Sequence, residues 1–556
     1  MAAVRATEET AAAGSAVRAR QDGKNLTDLG RIDMDSWPAL WYTSRMDPKE
    51  SWMPMLLLLL FGIAILFQMP QQAADTEIVP DSIEYAFGAL NLATGNGYQI
   101  QVGGRPLPPR YPPWFSAMLV PAYWILGDDP GNGIVMVFVL AMIGVLAAYK
   151  IGERISGPWG GAGAGLLLLV FTDYHYYGRQ IMTDVPCTAI LLLVLWLGCS
   201  IRERPRNWKW GLVGVLLACA AALRPVSAAF LLPFLVWRWQ MRKRQLEAVG
   251  WLLWPMVVMG MLSAGYNRWA FGSYFRSGYA YWCAIPYDYP NLVYSFRYIP
   301  QNVSAVWRSH LIWAVAVLGP LLWFARRKTT VAGTTAGMFI LLGGGPILLF
   351  HLIYFFPDPR FFLPLAASAA VLCGGLLGVW VQRFSWKWLV MGQMVMLTAG
   401  LVAASVVHHE AGLRPRRIAE AIKQETPAQA VIVTALPPAY LENYPGIQPR
   451  LIVPLSRKVE YADKLILKKK VPALQPMATH WWEHRQDGLL AAGAEEVIPW
   501  TAVDQPECLA ELIAANRPVW VDRQTVPGHW ADFLAQHVGV RLEKTAAGRL
   551  YRLRSD

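Results

Sequence analysis

The sequence predicts an α-helical polytopic membrane protein of about eleven spans, followed by a C-terminal soluble α/β domain. Three observations carry this expectation. Of the 556 residues, 55% are hydrophobic, and mean hydropathy is +0.30, more apolar surface than a soluble chain of this length needs. The basic residues gather in short clusters between apolar runs, the pattern that keeps Lys- and Arg-rich loops on the cytoplasmic side. From about residue 408 the composition changes, and short β-rich runs alternate with helical patterns.

A span needs roughly 17–25 mostly apolar residues. The candidates are 52–70, 131–150, 158–176, 185–201, 210–223, 225–240, 246–267, 304–325, 331–356, 360–380 and 387–407, with Arg224–Pro225 marking a tight break. Threaded alternately from a cytoplasmic N-terminus, three clusters fall inside: Arg202, Arg204, Arg206 and Lys209; Arg238, Arg242, Lys243 and Arg244; Arg326, Arg327 and Lys328. The same threading places 71–130, 177–184, 268–303, 357–360 and 408–556 outside. The expected division is a cytoplasmic tail over 1–50, a membrane domain over 51–407 and an extracytoplasmic α/β domain over 408–556. The tail lacks a signal-peptide arrangement, so the first apolar run reads as an uncleaved span.

Within the first outer loop, 114–126 is apolar but short, interrupted by Pro121 and rich in aromatics. The loop reads as one or two helices lying in the membrane surface. In the C-terminal region, 431–435, 450–455 and 518–522 read as strands, and 416–424 and 510–517 as helices. No Gly-rich phosphate loop follows a strand there. The six cysteines show neither a disulfide framework nor a CxxC spacing. The net charge of +12 invites nucleic acid, but the basic residues form no single stripe, which excludes that partner.

Few carboxylates lie near the membrane, and two stand out: Asp81 in PDSIEY and Asp184 in MTDVP. Asp81 followed by Glu84 fits a capping box, in which an acid ties down free backbone amides; the same acid could serve as a base or hold a metal. Glu84 and Tyr85 would share its helix face. Asp184, or Thr183, could cap the span that opens at Val185–Pro186. The preceding FTDYHYYGRQ adds Asp173, His175 and Arg179 among tyrosines that an aromatic belt would explain. The cationic candidates are Arg110, Arg224, Arg297 and Arg360. Arg224 and Arg360 abut apolar stretches, where a cation either snorkels to the interface or meets an anion such as a lipid phosphate. His351 reads as a packed core histidine.

The order of these segments carries a resemblance. An acid in PDSIEYAFGALNLATGNGY after a first span, then RYPPW, MTDVP, ALRPV, FGSYFRSGY and PDPRFFLP, resembles the family 39 membrane glycosyltransferases of the GT-C fold over roughly 50–410. That family includes protein O-mannosyltransferases and the bacterial enzyme that puts aminoarabinose on lipid A. The resemblance implies that Asp81 and Asp184 are catalytic acids. Many members carry Asp-Glu where this chain has Asp81–Ser82, which leaves Glu84 as a third candidate. It implies donor-phosphate contacts for Arg110, Arg224 and Arg360, whereas the family's substrate-side histidine has no counterpart here; Tyr85, Tyr111, Arg179 and His175 are the candidate substrate-binding residues beside them. The implied reaction moves a sugar from a polyprenyl-phosphate donor to an acceptor hydroxyl on protein, lipid or glycan, with inversion, at the outer face of a bacterial inner membrane. Membrane lipids are the surroundings. No cofactor is required, though a divalent cation at Asp81 is a possible addition. A transporter or flippase of lipid-linked sugars is the alternative reading; such folds place polar residues near mid-bilayer in repeated halves, and no repeat is found.

Overall fold

The computed structural model describes residues 80–203, 206–240, 246–278, 290–309, 331–381, 415–436, 438–455, 474, 476 and 500–554. All of them lie in one compact unit, Pro54–Asp556. The expected tail, the spans 52–70 and 387–407, and most of 304–325 fall outside the described residues.

Five described helices are long and apolar enough to cross a membrane: Pro130–Val170, Asp184–Glu203, Glu247–Phe271, Val331–Leu352 and Pro359–Gly378. Three shorter apolar helices accompany them, at Trp114–Leu126, Asn207–Leu223 and Pro225–Trp239. The protein is an integral membrane protein, but the expected total of about eleven crossings is not shown. Helix α1 (Pro80–Ala93) is followed by a hairpin of β1 (Ile100–Val102) and β2 (Arg105–Leu107), then by α2 (Trp114–Leu126). The two helices match the expected first-loop helices. The antiparallel hairpin between them was not expected, and Gly103 and Gly104 turn it at positive φ.

Helix α3 (Ile134–Val170) covers most of the two expected spans 131–150 and 158–176. Its helical path breaks at Ser156 and at Gly157, where φ is +75°, and Pro158 restarts it. A side chain on Gly152 would collide with the carbonyl of Gly160. Eight residues of straight helix would separate those positions by about 12 Å, so the chain folds back here as a tight helical hairpin. Helices α4 (Asp184–Glu203), α5 (Asn207–Leu223), α6 (Leu246–Phe271) and α7 (Leu363–Val381) follow. Helix α4 begins with an acid and Pro186 and ends with Arg202 in its last turn, as the macrodipole favours.

The second half of α3 lies against α7 through glycines. A Cβ on Gly163 would sit 2.6 Å from the carbonyl oxygen of Gly374, and one on Gly374 would sit 2.5 Å from the backbone nitrogen of Ala164. In lipid, where apolar side chains gain little by meeting one another, such backbone contact is a main source of helix association. The outward faces carry Val135, Val139 and Leu146 on α3 and Trp251, Trp254, Val257 and Met261 on α6, all exposed and suited to acyl chains.

Beyond the membrane helices, α8 (Pro415–Glu425), β3 (Val431–Thr434), β4 (Leu451–Pro454), α9 (Pro506–Ala514), β5 (Val519–Asp522), α10 (Gly528–Val538), β6 (Arg541–Lys544) and β7 (Leu550–Arg554) form an α/β layer. The sheet order is β4-β3-β5-β7-β6, parallel across β4, β3 and β5 and antiparallel thereafter. The three expected strands and both expected helices are present. One face of this layer shares a core with the first loop: Ile83 and Phe87 of α1 and Ile100 and Val102 of β1 pack with Ile418, Tyr440, Tyr444 and Ile452.

The glycine contact between α3 and α7 gives the first prediction. Gly374→Val drives methyls into the backbone at Ala164, and the membrane domain should lose about 3 kcal/mol or more. Its yield as a single symmetric peak in size exclusion after detergent extraction should collapse, whereas Gly250→Ala on α6, with nothing within 4 Å, should leave the peak unchanged.

Candidate active site

Helix α1 is the starting point. Positions three apart share a helix face, so Asp81 and Glu84 point the same way. Both are buried, Glu84 completely. The RYPPW segment crosses this face. Tyr98 Oη donates to the carbonyl of Tyr111 at 3.1 Å, and Tyr111 stacks on Tyr85 with ring centroids 4.6 Å apart. Gly278 lies so close to the backbone of Arg110 that any side chain there would collide with its Cα. Held in this way, Arg110 enters between the two acids. Its backbone N–H donates to Glu84 Oε2 at 2.9 Å, its Nε pairs with Glu84 Oε1, and its Nη2 reaches Asp81 Oδ1 at 3.2 Å.

Arg360 closes the chain of charges. The sequence PDPRFF makes a 3-10 turn, Pro359–Phe362, whose cap is Asp358: its Oδ1 accepts from the backbone N–H of Arg360 at 3.0 Å. From there Arg360 Nη1 donates to Asp81 Oδ2 at 2.9 Å. Tyr177 Oη donates to Asp358 Oδ1 at 3.2 Å, which ties the start of the 177–184 loop to the same turn. That loop ends at Asp184, almost wholly buried, whose carboxylate pairs with Arg224. The two ionic groups meet at Phe361: the guanidinium carbon of Arg224 lies 5.4 Å from its ring centroid and that of Arg360 lies 5.5 Å away. His351 stacks on the same ring at 4.6 Å and bonds to the carbonyl of Ile347, the packed histidine that was expected.

The capping-box reading of Asp81 and Glu84 is corrected by this geometry. Helix α1 begins at Pro80, so Asp81 lies within its first turn, and its oxygens meet guanidiniums contributed from residues 29 and 279 positions away. Among the described residues, Glu84 accepts from Arg110, through both its backbone N–H and its guanidinium. A buried carboxylate beside an arginine gains more from the charge than from an amide.

The structure therefore brings together Asp81, Glu84, Arg110, Arg360, Asp184 and Arg224, with Tyr85 and Tyr111 packed beside Arg110. His175 is buried in the short helix Thr172–Tyr177 that leads to the loop. Arg179 is half-buried in that loop, and among the described residues it has no ion pair; Arg297 is exposed and stays outside the network. Sequence reasoning missed Asp358, Tyr177, Phe361 and Gly278. An Asp-Pro-Arg run is a turn cap next to a cation, and that signal could have found Asp358.

Burial pushes the Glu84 carboxyl up to about 7, against the pull of Arg110 and reinforced by the neighbouring charge of Asp81. Burial acts on Asp81 in the same sense, but Arg360 and Arg110 outweigh it and hold that carboxyl below the usual range. The face thus pairs an ionised acid with one that titrates near neutrality. A divalent cation does not fit: guanidiniums occupy both oxygens of Asp81, and no group of three or more His, Cys, Asp or Glu residues among the described ones could hold a metal.

The profile of a family described as dolichyl-phosphate-mannose-protein mannosyltransferase matches residues 110–264. No curated protein matches the chain. Among solved structures, ArnT from Cupriavidus metallidurans bound to undecaprenyl phosphate is similar with a TM-score of 0.59 at 14% identity, over 90% of this chain and 98% of that one. The same protein in the apo state gives 0.56 at 14% identity, over 90% and 97%. An oligosaccharyltransferase from Archaeoglobus fulgidus in the apo form gives 0.44 at 10% identity, over 75% and 66%. The ArnT likeness shows the fold, the GT-C fold that the motif order implied.

The pH dependence of stability follows from Glu84. Its folded pKa of about 7 lies above the ordinary 4.5, so the native state keeps a proton that the unfolded chain has released. Stability should fall as pH rises from about 4.5 to 7 and stay low above that. Glu442, also pushed up to about 7 by burial, adds a slope of the same sign. Thermal unfolding of the detergent-solubilised protein between pH 5 and 8 should show this decline, and Glu84→Gln should reduce its slope without removing it.

Proposed function

We propose that this chain is a glycosyltransferase that takes a sugar from a polyprenyl-phosphate donor and passes it, with inversion, to an acceptor hydroxyl at the outer face of the membrane. The observation that carries the reading is the convergence of two ionic groups, Glu84–Arg110–Asp81–Arg360 and Asp184–Arg224, at the ring of Phe361. A likeness in fold to a protein that binds undecaprenyl phosphate, over nearly its whole length, supports a lipid-phosphate donor of that class.

In this reading Asp81 removes the proton from the acceptor hydroxyl as that oxygen attacks the anomeric carbon. The bond from that carbon to the phosphate oxygen breaks, and the polyprenyl phosphate leaves with the electron pair. Such a leaving group needs little protonation. Stabilising its charge is the larger task, and Arg360, Arg224 and Arg110 are placed to do it. Arg179, half-buried in the loop that touches the site at both ends, is a further cation for the incoming phosphate. Asp184 orients Arg224, while Tyr85, Tyr111 and His175 line the approach.

Helix α4 supports the outer placement. Its first residue, Asp184, is in the site, and Arg202 of the basic cluster is in its last turn, about 27 Å along the axis. If the cluster is cytoplasmic, the site faces out, and the α/β layer joined to α1 faces out with it. The proposed division is then a cytoplasmic tail over 1–50, a catalytic membrane domain over 51–407 and an extracytoplasmic domain over 408–556, in a bacterial inner membrane.

Purified protein given a radiolabelled polyprenyl-phosphate sugar should transfer or hydrolyse it. Asp81→Asn should lower the rate by about 100-fold or more while the protein still elutes as a single peak. Activity that survives this change would remove Asp81 from the chemistry.

A further inference from the structure

In the site as it stands, Asp81 is a poor base. Its Oδ1 faces Arg110 Nη2 at 3.2 Å and its Oδ2 faces Arg360 Nη1 at 2.9 Å. A carboxylate held by two guanidiniums has one lone pair of each oxygen engaged and its charge offset, which weakens it as a proton acceptor. The donor phosphate, however, needs those same guanidiniums. Both demands fall on the same guanidiniums, so carboxylate and phosphate compete for their charge.

Arg360 is built to serve them in turn. Its backbone is fixed by Asp358, which accepts from its N–H, and Asp358 is itself braced by Tyr177. The side chain is less committed. Nε lies 3.3 Å from Asp358 Oδ2 and yet, buried, makes no hydrogen bond, so this N–H is a donor without an aligned acceptor. A buried donor in that state costs free energy that an incoming oxygen would recover. Arg110, by contrast, is locked between Glu84 and its own backbone bond to the same acid.

We propose that Arg360 exchanges partners during the cycle: it pins Asp81 in the empty site and turns to the donor phosphate when the lipid enters, so that arrival of the donor is what frees the base. The proposal rests on the transferase reading above. Asp358 is the positioning residue of the exchange, because it holds the main chain of Arg360 still while the guanidinium moves. An acceptor hydroxyl or water that arrives first then meets a base that is still blocked, which limits wasteful proton removal before the sugar is in place.

The test uses binding alone. Full-length protein in lipid nanodiscs is titrated with radiolabelled undecaprenyl phosphate, which carries no sugar and cannot be transferred. Wild type, Asp81→Asn, Arg360→Gln and the double variant are compared, each checked for a single size-exclusion peak. With no carboxylate competing for Arg360, Asp81→Asn should bind about tenfold more tightly than wild type. That gain should vanish when Asp81→Asn is made in the Arg360→Gln background, the signature of coupling through that side chain. Should Arg360→Gln fail to fold, Arg360→Lys replaces it, since it keeps the charge and loses the fork, and it should shrink the gain. Equal affinity of wild type and Asp81→Asn, or a gain that persists without Arg360, overturns the exchange and leaves the transferase reading to its own assay. No saturable binding by any variant overturns both.

Discussion

The structure depends on the ionic chain Glu84–Arg110–Asp81–Arg360. Two carboxylates one helical turn apart, both out of water, would repel and lose their hydration; alone they would not stay charged. Arg110 removes that conflict by sitting between them, and Arg360 completes the coordination of Asp81. Much of the surrounding architecture serves this placement. The stacked pair Tyr85–Tyr111, the bond from Tyr98 and the glycine at 278 all fix the backbone that delivers Arg110. Breaking the chain at Arg110 would leave two acids facing each other in a dry space, which is why the consequence would reach beyond one lost contact.

The same helix has a second face. Ile83 and Phe87 turn away from the acids and into the core of the α/β layer, where the ring of Tyr444 meets Phe87 edge-on with centroids 5.1 Å apart. Polar contacts repeat the grip one strand further on. Asn443 accepts from the backbone N–H of Gln101 at 2.7 Å and donates to its carbonyl at 2.9 Å, and Glu442 accepts from the N–H of Gly104. Arg416 forks onto both oxygens of Asp129. Position of the acids is therefore set from two sides, by arginines within the membrane domain and by an apolar core outside it. The C-terminal layer is part of what holds the acidic face of α1 in register.

How much of this was legible in the sequence follows from the range of each interaction. Spans and the three central strands declare themselves because burial imposes a local period or a local run, and a single window contains the whole signal. Arg224 and Arg360 stood out for a similar reason, since a cation against an apolar stretch is a local anomaly. The hairpin 100–107 did not, because its strands are three residues each and its turn needs only two glycines. Strands β6 and β7 hide because β6 (RLEK) is largely exposed and carries no apolar alternation. The cap reading of Asp81 failed for the opposite reason. It used the residues next door, while the partners that decide the matter come from 29 and 279 positions away. That Asp81 and Asp184 share one site was expected from their common side of the membrane, but the residue that joins their arginines, Phe361, has no signature of its own.

Charge balance links the site to the substrate class. Asp81, Glu84, Asp184 and Asp358 face Arg110, Arg224 and Arg360, so with every group ionised the acids outnumber the cations. Glu84 is the acid that can relieve the excess, because burial brings its titration to about 7 and a proton there leaves the network neutral. A phosphate adds a further negative charge to a space with little water. Holding it calls on donors that the carboxylates leave unused, and the Nε of Arg360 is one such donor. A neutral substrate would add no such charge. On the transferase reading proposed above, this charge balance favours a sugar that arrives on an anionic lipid over a neutral sugar alone.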